Sequence, residues 1–471
     1  MGSSLLRLWL LTAGVVVGAV AADPPRSLRT GLSFLVISSV LVALRRRAVA
    51  VLAALFFFGL GSGLVAAHLR SGSGETLGLL ARQVPFCDVT GRILEDLGGL
   101  GTLAQLEHVR CEDASFVQPG RALVETSAPS GSAFSASGWV LPLGPDRFDV
   151  ARRRAGAHAE VAAESMNTMP PTGLAAVAAS IGSGLRRAGE RIAPEPAGLI
   201  RGLTIGDTDG LSRITIERFR RAGLSHLLAV SGSNVAIVLA GIAVVVARLR
   251  FHARVGAGVA ALLLFVLVVG PDASVLRAAA MGGVGLMALA TGRQAEPLHA
   301  LGVALMTIIL LRPQIVFSVG LHLSVAATAG IILWASRIER RVALPRLVGL
   351  PLAVTLSAQV GVLPLLIGVF GQASLVAPVT NLLAAAAVGP ATVFGLIGAL
   401  AGTAHPWLGG LALRLAEPFA AWILLVGRVG SAPSWAVLEV PHWTGAALAV
   451  PICAAAAWTL RGYGAPISLE R

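Results

Sequence analysis

Residues 223–238 read GLSHLLAVSGSNVAIV. Leu, Ala, Val and Ile make most of this run apolar enough for a bilayer-crossing helix, yet Ser225, His226, Ser231, Ser233 and Asn234 are set within it. A polar group in hydrocarbon costs free energy unless a neighbouring helix or water satisfies it. The run therefore reads as a membrane segment with an inward polar stripe, which serves either as helix-to-helix glue or as the lining of a path.

The rest of the chain supports the membrane reading. Of its 471 residues 55% are hydrophobic and only 13% charged, where a soluble globule has about a quarter charged; the mean hydropathy is +0.79. A polytopic α-helical membrane protein is expected. Stretches of roughly 17–25 apolar residues cross a bilayer, and about twelve candidates occur. They fall near 4–22, 30–44, 48–68, 224–247, 255–271, 273–291, 297–311, 315–336, 347–369, 376–402, 407–427 and 442–460. The opening stretch could pass for a cleaved leader, but two further spans follow at once, so it is kept as membrane structure. Arginine clusters at 45–47, at 248, 250 and 254, and at 337, 340, 341 and 346 belong on the cytoplasmic side. Both termini are then expected in the cytoplasm, with 70–222 outside.

Composition also excludes chemistry. All 37 basic residues are arginine, so the chain lacks the lysine that a P-loop motor needs; an ATP-driven step must belong to a partner. The nine histidines show no HxH or HExxH spacing, which argues against a metal site and against a hydrolase. No catalytic residue, metal or cofactor is expected, and the chain is read as a non-enzyme.

Four regions follow: N-terminal spans at 1–69, an outer β-domain at 70–170, interfacial helices at 171–222 and a membrane domain at 223–471. Within 86–154 short alternating stretches such as FCDVTGRILED and ALVETS lie between Gly, Pro and Ser clusters, the pattern of a small β-domain. Cys87 and Cys111 fall there, on the oxidising side, either as a disulfide worth about 3 kcal/mol or as two thiols. Cys453, in the last span, reads as a buried apolar filler. In LAAVAASIGSGLRRAGERI (174–192) the apolar and charged residues take opposite faces, so that helix lies along the membrane surface or packs against the β-domain. A second amphipathic helix, LSRITIERFRRAGL, follows at 211–224.

Further polar residues stand inside the spans: Arg277, His322, Ser324, Gln359 and Asn381, with Thr355, Ser357, Thr380 and Ser318. Arg277 can pair with Asp272 or with a phosphate in transit.

The segment GLTIGDTDGLSRITIERFRRAGLSHLLAVSGSNVAIV at 202–238 resembles the ComEC-type competence proteins, through Gly206, Asp207, Phe219, Gly223, Leu224, Ser225, His226, Ser231 and Gly232. ASVLRAAAMG at 273–282, LHLSVAATAGIIL at 321–333 and PLLIGVFGQASLVAPVTNLLA at 364–384 resemble later blocks of that family, in order. The resemblance implies a channel for single-stranded DNA in the cytoplasmic membrane and an outer domain with an OB-like fold. It also implies a DNA receptor, a cytoplasmic ATP-driven translocase and a possible separate nuclease as partners. Candidate channel-lining residues are Asp207, Ser225, His226, Ser231, Ser233, Asn234, Arg277, His322, Ser324, Gln359 and Asn381. Three departures stand out. Ser233 and Asn234 replace a Leu-His pair common in the family, Arg312 stands where an acidic residue is usual, and the histidine motif of the family's metallo-β-lactamase-like domain does not occur in these 471 residues.

Physically, a strand crossing hydrocarbon needs water or compensating donors, but few enough cations to let it leave. The alternative reading is a small-solute or ion transporter with a similar bundle. Such a transporter wants a coupling carboxylate, and the spans contain few, Asp272 and Glu417 being the ones in question.

Overall fold

A computed structural model of the chain describes residues 11–15, 75–96 and 101–461, apart from positions 113, 229, 231, 271, 293 and 343. Of the three N-terminal spans only 11–15, which is helical, falls within it; the spans at 30–44 and 48–68 and the arginines at 45–47 lie outside the described residues. Two compact units emerge, one from residues 7–180 with 302–318, the other from 181–301 with 319–471.

The first unit is built on a five-stranded closed barrel: β1 (Phe86–Asp96), β2 (Thr102–Cys111), β3 (Ala114–Val124), β4 (Ala133–Pro142) and β5 (Ala159–Met169), in the order β1-β2-β3-β5-β4. Every pairing is antiparallel except β3 with β5, where Ala122 faces Ala159 in parallel register. Period-two alternation puts one side of each strand inside, so Val89, Ile93, Leu106, Val109, Phe134 and Val161 fill the core. Leu77 and Ala81 of α1 (Glu75–Ala81) join that core. Closing so small a barrel requires sharp bends, made at glycines: a Cβ on Gly91 would lie 2.4 Å from the Gln105 carbonyl oxygen, and one on Gly138 2.2 Å from that of Ala162. Register shifts mark both places. A disulfide joins Cys87 and Cys111 across β1 and β2. Helix α2 (Arg147–Arg154) links β4 to β5. In residues 302–318, Arg312 pairs with Glu95 at 2.5 Å, both side chains largely buried, so the departing arginine has a partner within this unit.

The second unit is helical. It receives the last turns of α3 (Leu174–Gly189), then α4 (Pro194–Ile205) and α5 (Arg213–Arg221), and a short 3-10 turn at Ser225–Leu227. Next come α6 (Gly232–Val245), α7 (Phe251–Val269), α8 (Ala273–Ala290) and α9 (Pro297–Leu311), the last shared with the first unit. They are followed by α10 (Val319–Arg341), α11 (Arg346–Phe370), β6 (Gln372–Ser374), α12 (Ala377–Ala404), α13 (Pro406–Ser431), β7 (Val437–Glu439) and α14 (Trp443–Arg461). Strands β6 and β7 pair antiparallel.

Among the described residues six helices are long and apolar enough to cross a membrane: α7, α8, α10, most of α11 (Val348–Phe370), α12 and α13. Apolar stretches in α6, α9 and α14 are shorter, at 10–17 residues. The described chain thus has the helices of a multi-pass membrane protein, in smaller number than the nine that sequence alone proposes over the same residues. The apolar faces that sequence gives to a membrane surface or to the β-domain are covered in part from within the second unit, Leu174, Val177, Ile214 and Ile216 staying exposed. Ile181, Leu185 and Ala188 of α3, Leu199, Ile200 and Leu203 of α4, and Phe219 of α5 form one core with Ala384, Ala391, Leu413, Ala420 and Ile423 of α12 and α13. Small residues let these helices approach closely; α10 and α11 cross the same way, where Gly330 and Gly361 leave no room for a Cβ. Cys453 is exposed on α14, not buried.

Candidate functional site

The segment around Asp207 is shaped by its ends. Helix α4 stops at Gly206, which adopts φ +78° and bonds back to the Gly202 carbonyl, a left-handed cap that glycine takes without strain. Beyond it the Asp207 carboxylate, 8% exposed, receives Arg186 Nε at 2.8 Å and lies 3.8 Å from Arg201 Nη1. It also accepts the Asp209 N–H at 3.2 Å. Asp207 therefore ties α3, α4 and the following turn together. Helix α5 then starts at Ser212, whose hydroxyl accepts the Thr215 N–H at 3.1 Å.

At the other end of α5 three successive carbonyls lack helical partners, as at any C-terminus. Each is met from the β6–α12 segment: Ser374 Oγ donates to Arg221 O at 2.8 Å, Thr380 Oγ1 to Ala222 O at 2.6 Å, and Asn381 Nδ2 reaches Gly223 O at 3.5 Å. Gln359 Nε2 donates to Ser374 O at 3.1 Å. The Arg221 guanidinium reaches the carbonyls of Ser431 and Pro433, both at 3.2 Å. Two blocks of sequence some 150 residues apart are joined here through the backbone.

A second cluster gathers at the starts of α6 and α8. Ser274 Oγ donates to Val230 O at 2.8 Å, and Asn234, 1% exposed, turns its amide to Leu203 O at 2.6 Å. Between them Arg277 is 9% exposed. Its Nε donates to Ser324 Oγ of α10 at 2.7 Å and its Nη1 stands 3.5 Å from Met281 Sδ. Its Nη2 lies 3.2 Å from where a Cβ on Gly232 would stand, so the absence of a side chain there makes room for the guanidinium. No ion pair joins it to Asp272, and no carboxylate of the described residues lies within 4 Å of it. A buried arginine held by a hydroxyl and a thioether has donors to spare for an anion.

A model of the competence protein family matches residues 203–463. The chain belongs to that family. Over 193 residues it is 32% identical to ComE operon protein 3 of Bacillus subtilis (strain 168); the shared stretch is 40% of this chain and 24% of the relative. No solved structure matches the chain significantly.

Within the competence-family match the candidate residues divide. Arg277 and Ser324 are in direct contact, while Asn234 on the neighbouring helix bonds to the Leu203 carbonyl of α4. Gln359 and Asn381 belong instead to the cap of α5. Ser225, His226 and His322 are exposed, and Asp207 sits in its own ion-pair cluster. Ser231 lies outside the described residues, as does the side chain of Ser233. Sequence reading passed over Arg186, Arg201, Arg221, Ser274 and Ser374. Arg201 had a usable signal, a lone cation in the apolar PEPAGLIRGLTI; the hydroxyls at 274 and 374 had none. Among the described residues no three His, Cys, Asp or Glu side chains gather as metal ligands would.

Proposed function

We propose that this chain provides the passage for single-stranded DNA through the cytoplasmic membrane during natural transformation. The observation that carries the reading is Arg277, buried in a bundle of apolar helices with a hydroxyl partner and no carboxylate of the described residues within 4 Å. A guanidinium so placed presents N–H donors to a phosphodiester and then releases it, because one cation with neutral neighbours attracts a strand without trapping it. Membership of the competence family supports the same reading. The five-stranded barrel supports an OB-like outer domain. Net acidic composition over residues 70–170 favours a structural or gating role there over tight strand binding. Direction and energy come from a cytoplasmic ATP-driven translocase, with a DNA receptor upstream and a separate nuclease where one strand is degraded. In this arrangement both termini face the cytoplasm.

The test is a deletion strain, lacking any second copy and shown to be otherwise competent, scored for entry of labelled DNA into the cytoplasm. Loss of entry with normal surface binding is expected. Entry at the parental level refutes the proposal.

A further inference from the structure

Helix α10 has 23 residues, and so has the apolar stretch Val348–Phe370 of α11. Each is about 35 Å long against a hydrocarbon core of about 30 Å. The short turn that joins them therefore stands at a membrane surface, with Arg341 ending one helix and Arg346 two residues before the apolar stretch of the next. Within residues 337–346 four arginines, Arg337, Arg340, Arg341 and Arg346, are set against one carboxylate, Glu339.

The end of α14 shares this level. Trp334 Nε1 donates to Thr459 Oγ1 at 3.3 Å, which brings the last turns of α10 and α14 together and sets Trp458, 75% exposed, beside them. Tryptophans gather at such interfaces. Trp334, Arg337 and Arg341 follow at i, i+3 and i+7, so the two arginines share the flank of α10 that meets α14.

The protein itself makes little use of these cations. Arg337 Nη1 donates to the Leu333 carbonyl of its own helix. No carboxylate of the described residues lies within 4 Å of Arg337, Arg340 or Arg341. Arg346 lies 3.8 Å from Glu339 with 86% of its side chain exposed, an arrangement in which an ion pair contributes little. It is also the first residue of α11, where the positive end of the helix dipole disfavours a cation. An anion from outside removes that penalty.

The surface around the arginines suits one kind of anion. Leu344 in the turn is 47% exposed and Val348, just past Arg346, 40%. A free phosphate or a nucleic-acid strand arrives through water and gains nothing from these side chains. A phospholipid sets its phosphate level with the arginines and its chains along Leu344, Val348 and Trp458.

We propose that the α10–α11 turn, with the end of α14, is a binding site for an anionic phospholipid, the arginines holding the headgroup phosphate and the exposed apolar residues the acyl chains. The site depends on membrane embedding and not on passage of a strand, so it stands or falls separately from the function proposed above.

The test uses the full chain with Cys453→Ser and its disulfide intact, in vesicles of phosphatidylcholine with a minority of phosphatidylglycerol. A fluorophore on Val348→Cys reports lipid contact, and one on Val393→Cys, an exposed position of α12, serves as reference. Either lipid is supplied with brominated acyl chains, which quench on contact. Brominated phosphatidylglycerol is expected to quench at 348 with an apparent affinity about fivefold above that of brominated phosphatidylcholine, with no such preference at 393. The preference is expected to vanish in Arg340→Gln/Arg341→Gln/Arg346→Gln, while quenching by phosphatidylcholine persists at both positions and shows the helices still in place. Arg346→Gln alone, at an exposed side chain, is expected to lose part of the preference and carries the test if the triple variant does not fold. Equal quenching by the two lipids at 348, or a preference that the folded variants retain in full, overturns the site. Inorganic phosphate and an oligothymidylate, added at constant ionic strength, are expected to leave the preference unchanged. Displacement of phosphatidylglycerol by either assigns the arginines to a water-borne anion and overturns the lipid.

Discussion

Arg277 makes the sharpest single-residue case. Hydrogen bonds to charged groups contribute about 1.5–3 kcal/mol, so Arg277→Gln is expected to cut DNA entry by roughly ten- to hundredfold at equal protein level, measured by complementing the deletion strain. Arg277→Lys keeps the charge but loses the planar fork, and is expected to recover only part of the activity. Sequence alone exposed this residue, because a cation in an apolar run stands out. Its partner Ser324, 47 positions on, was one hydroxyl among several, and only the crossing of α8 and α10 selects it. Asp207 was legible as part of a family motif but not as the centre of a pair of arginines. A similar limit applied to Gln359 and Asn381: polarity marked them, while their distance from Arg277 and their engagement with the α5 cap depend on which helices meet.

At the level of elements, the amphipathic pattern of α3 and α5 told which face seeks water but not what covers the other. The period of 3.6 is the same whether the apolar face meets lipid or α12–α13. The barrel was more legible, because alternation of period two and glycine-rich breaks survive any tertiary context. Two element-scale predictions follow from the packing. Removing one cap of α5 by Ser374→Ala or Thr380→Val is expected to cost about 1 kcal/mol, read as a lower midpoint of thermal unfolding in detergent. Gly330→Val would set a side chain where even a Cβ lies 2.3 Å from the Ser357 carbonyl oxygen, forcing α10 and α11 apart. A loss on the order of 1–3 kcal/mol is expected, with Ala at a remote exposed helical site as the control.

For the whole molecule, stability need not respond uniformly to conditions. Burial lowers the pKa of His158, in the barrel, below its ordinary 6.5. The unfolded chain then binds more protons than the folded one once pH drops beneath 6.5, so the barrel is expected to lose stability with acidification in that range and to be insensitive to this group above pH 7.5. Hydrogen exchange of β1–β5 amides at pH 5.5 and 7.5 measures it, with His158→Gln abolishing the difference. Opening Cys87–Cys111 is expected to cost the same strands about 3 kcal/mol. A different vulnerability comes from the cap of α5, whose donors follow their acceptors by 153 and 158 residues. At a ribosomal pace of roughly 5–20 residues per second, the last turn of α5 waits about 8–30 s before Ser374 and Thr380 are even made. Throughout that interval the nascent chain carries the bare carbonyls of Arg221 and Ala222, so its biogenesis depends on whatever shelters them, water or an insertion factor, until the β6–α12 segment emerges.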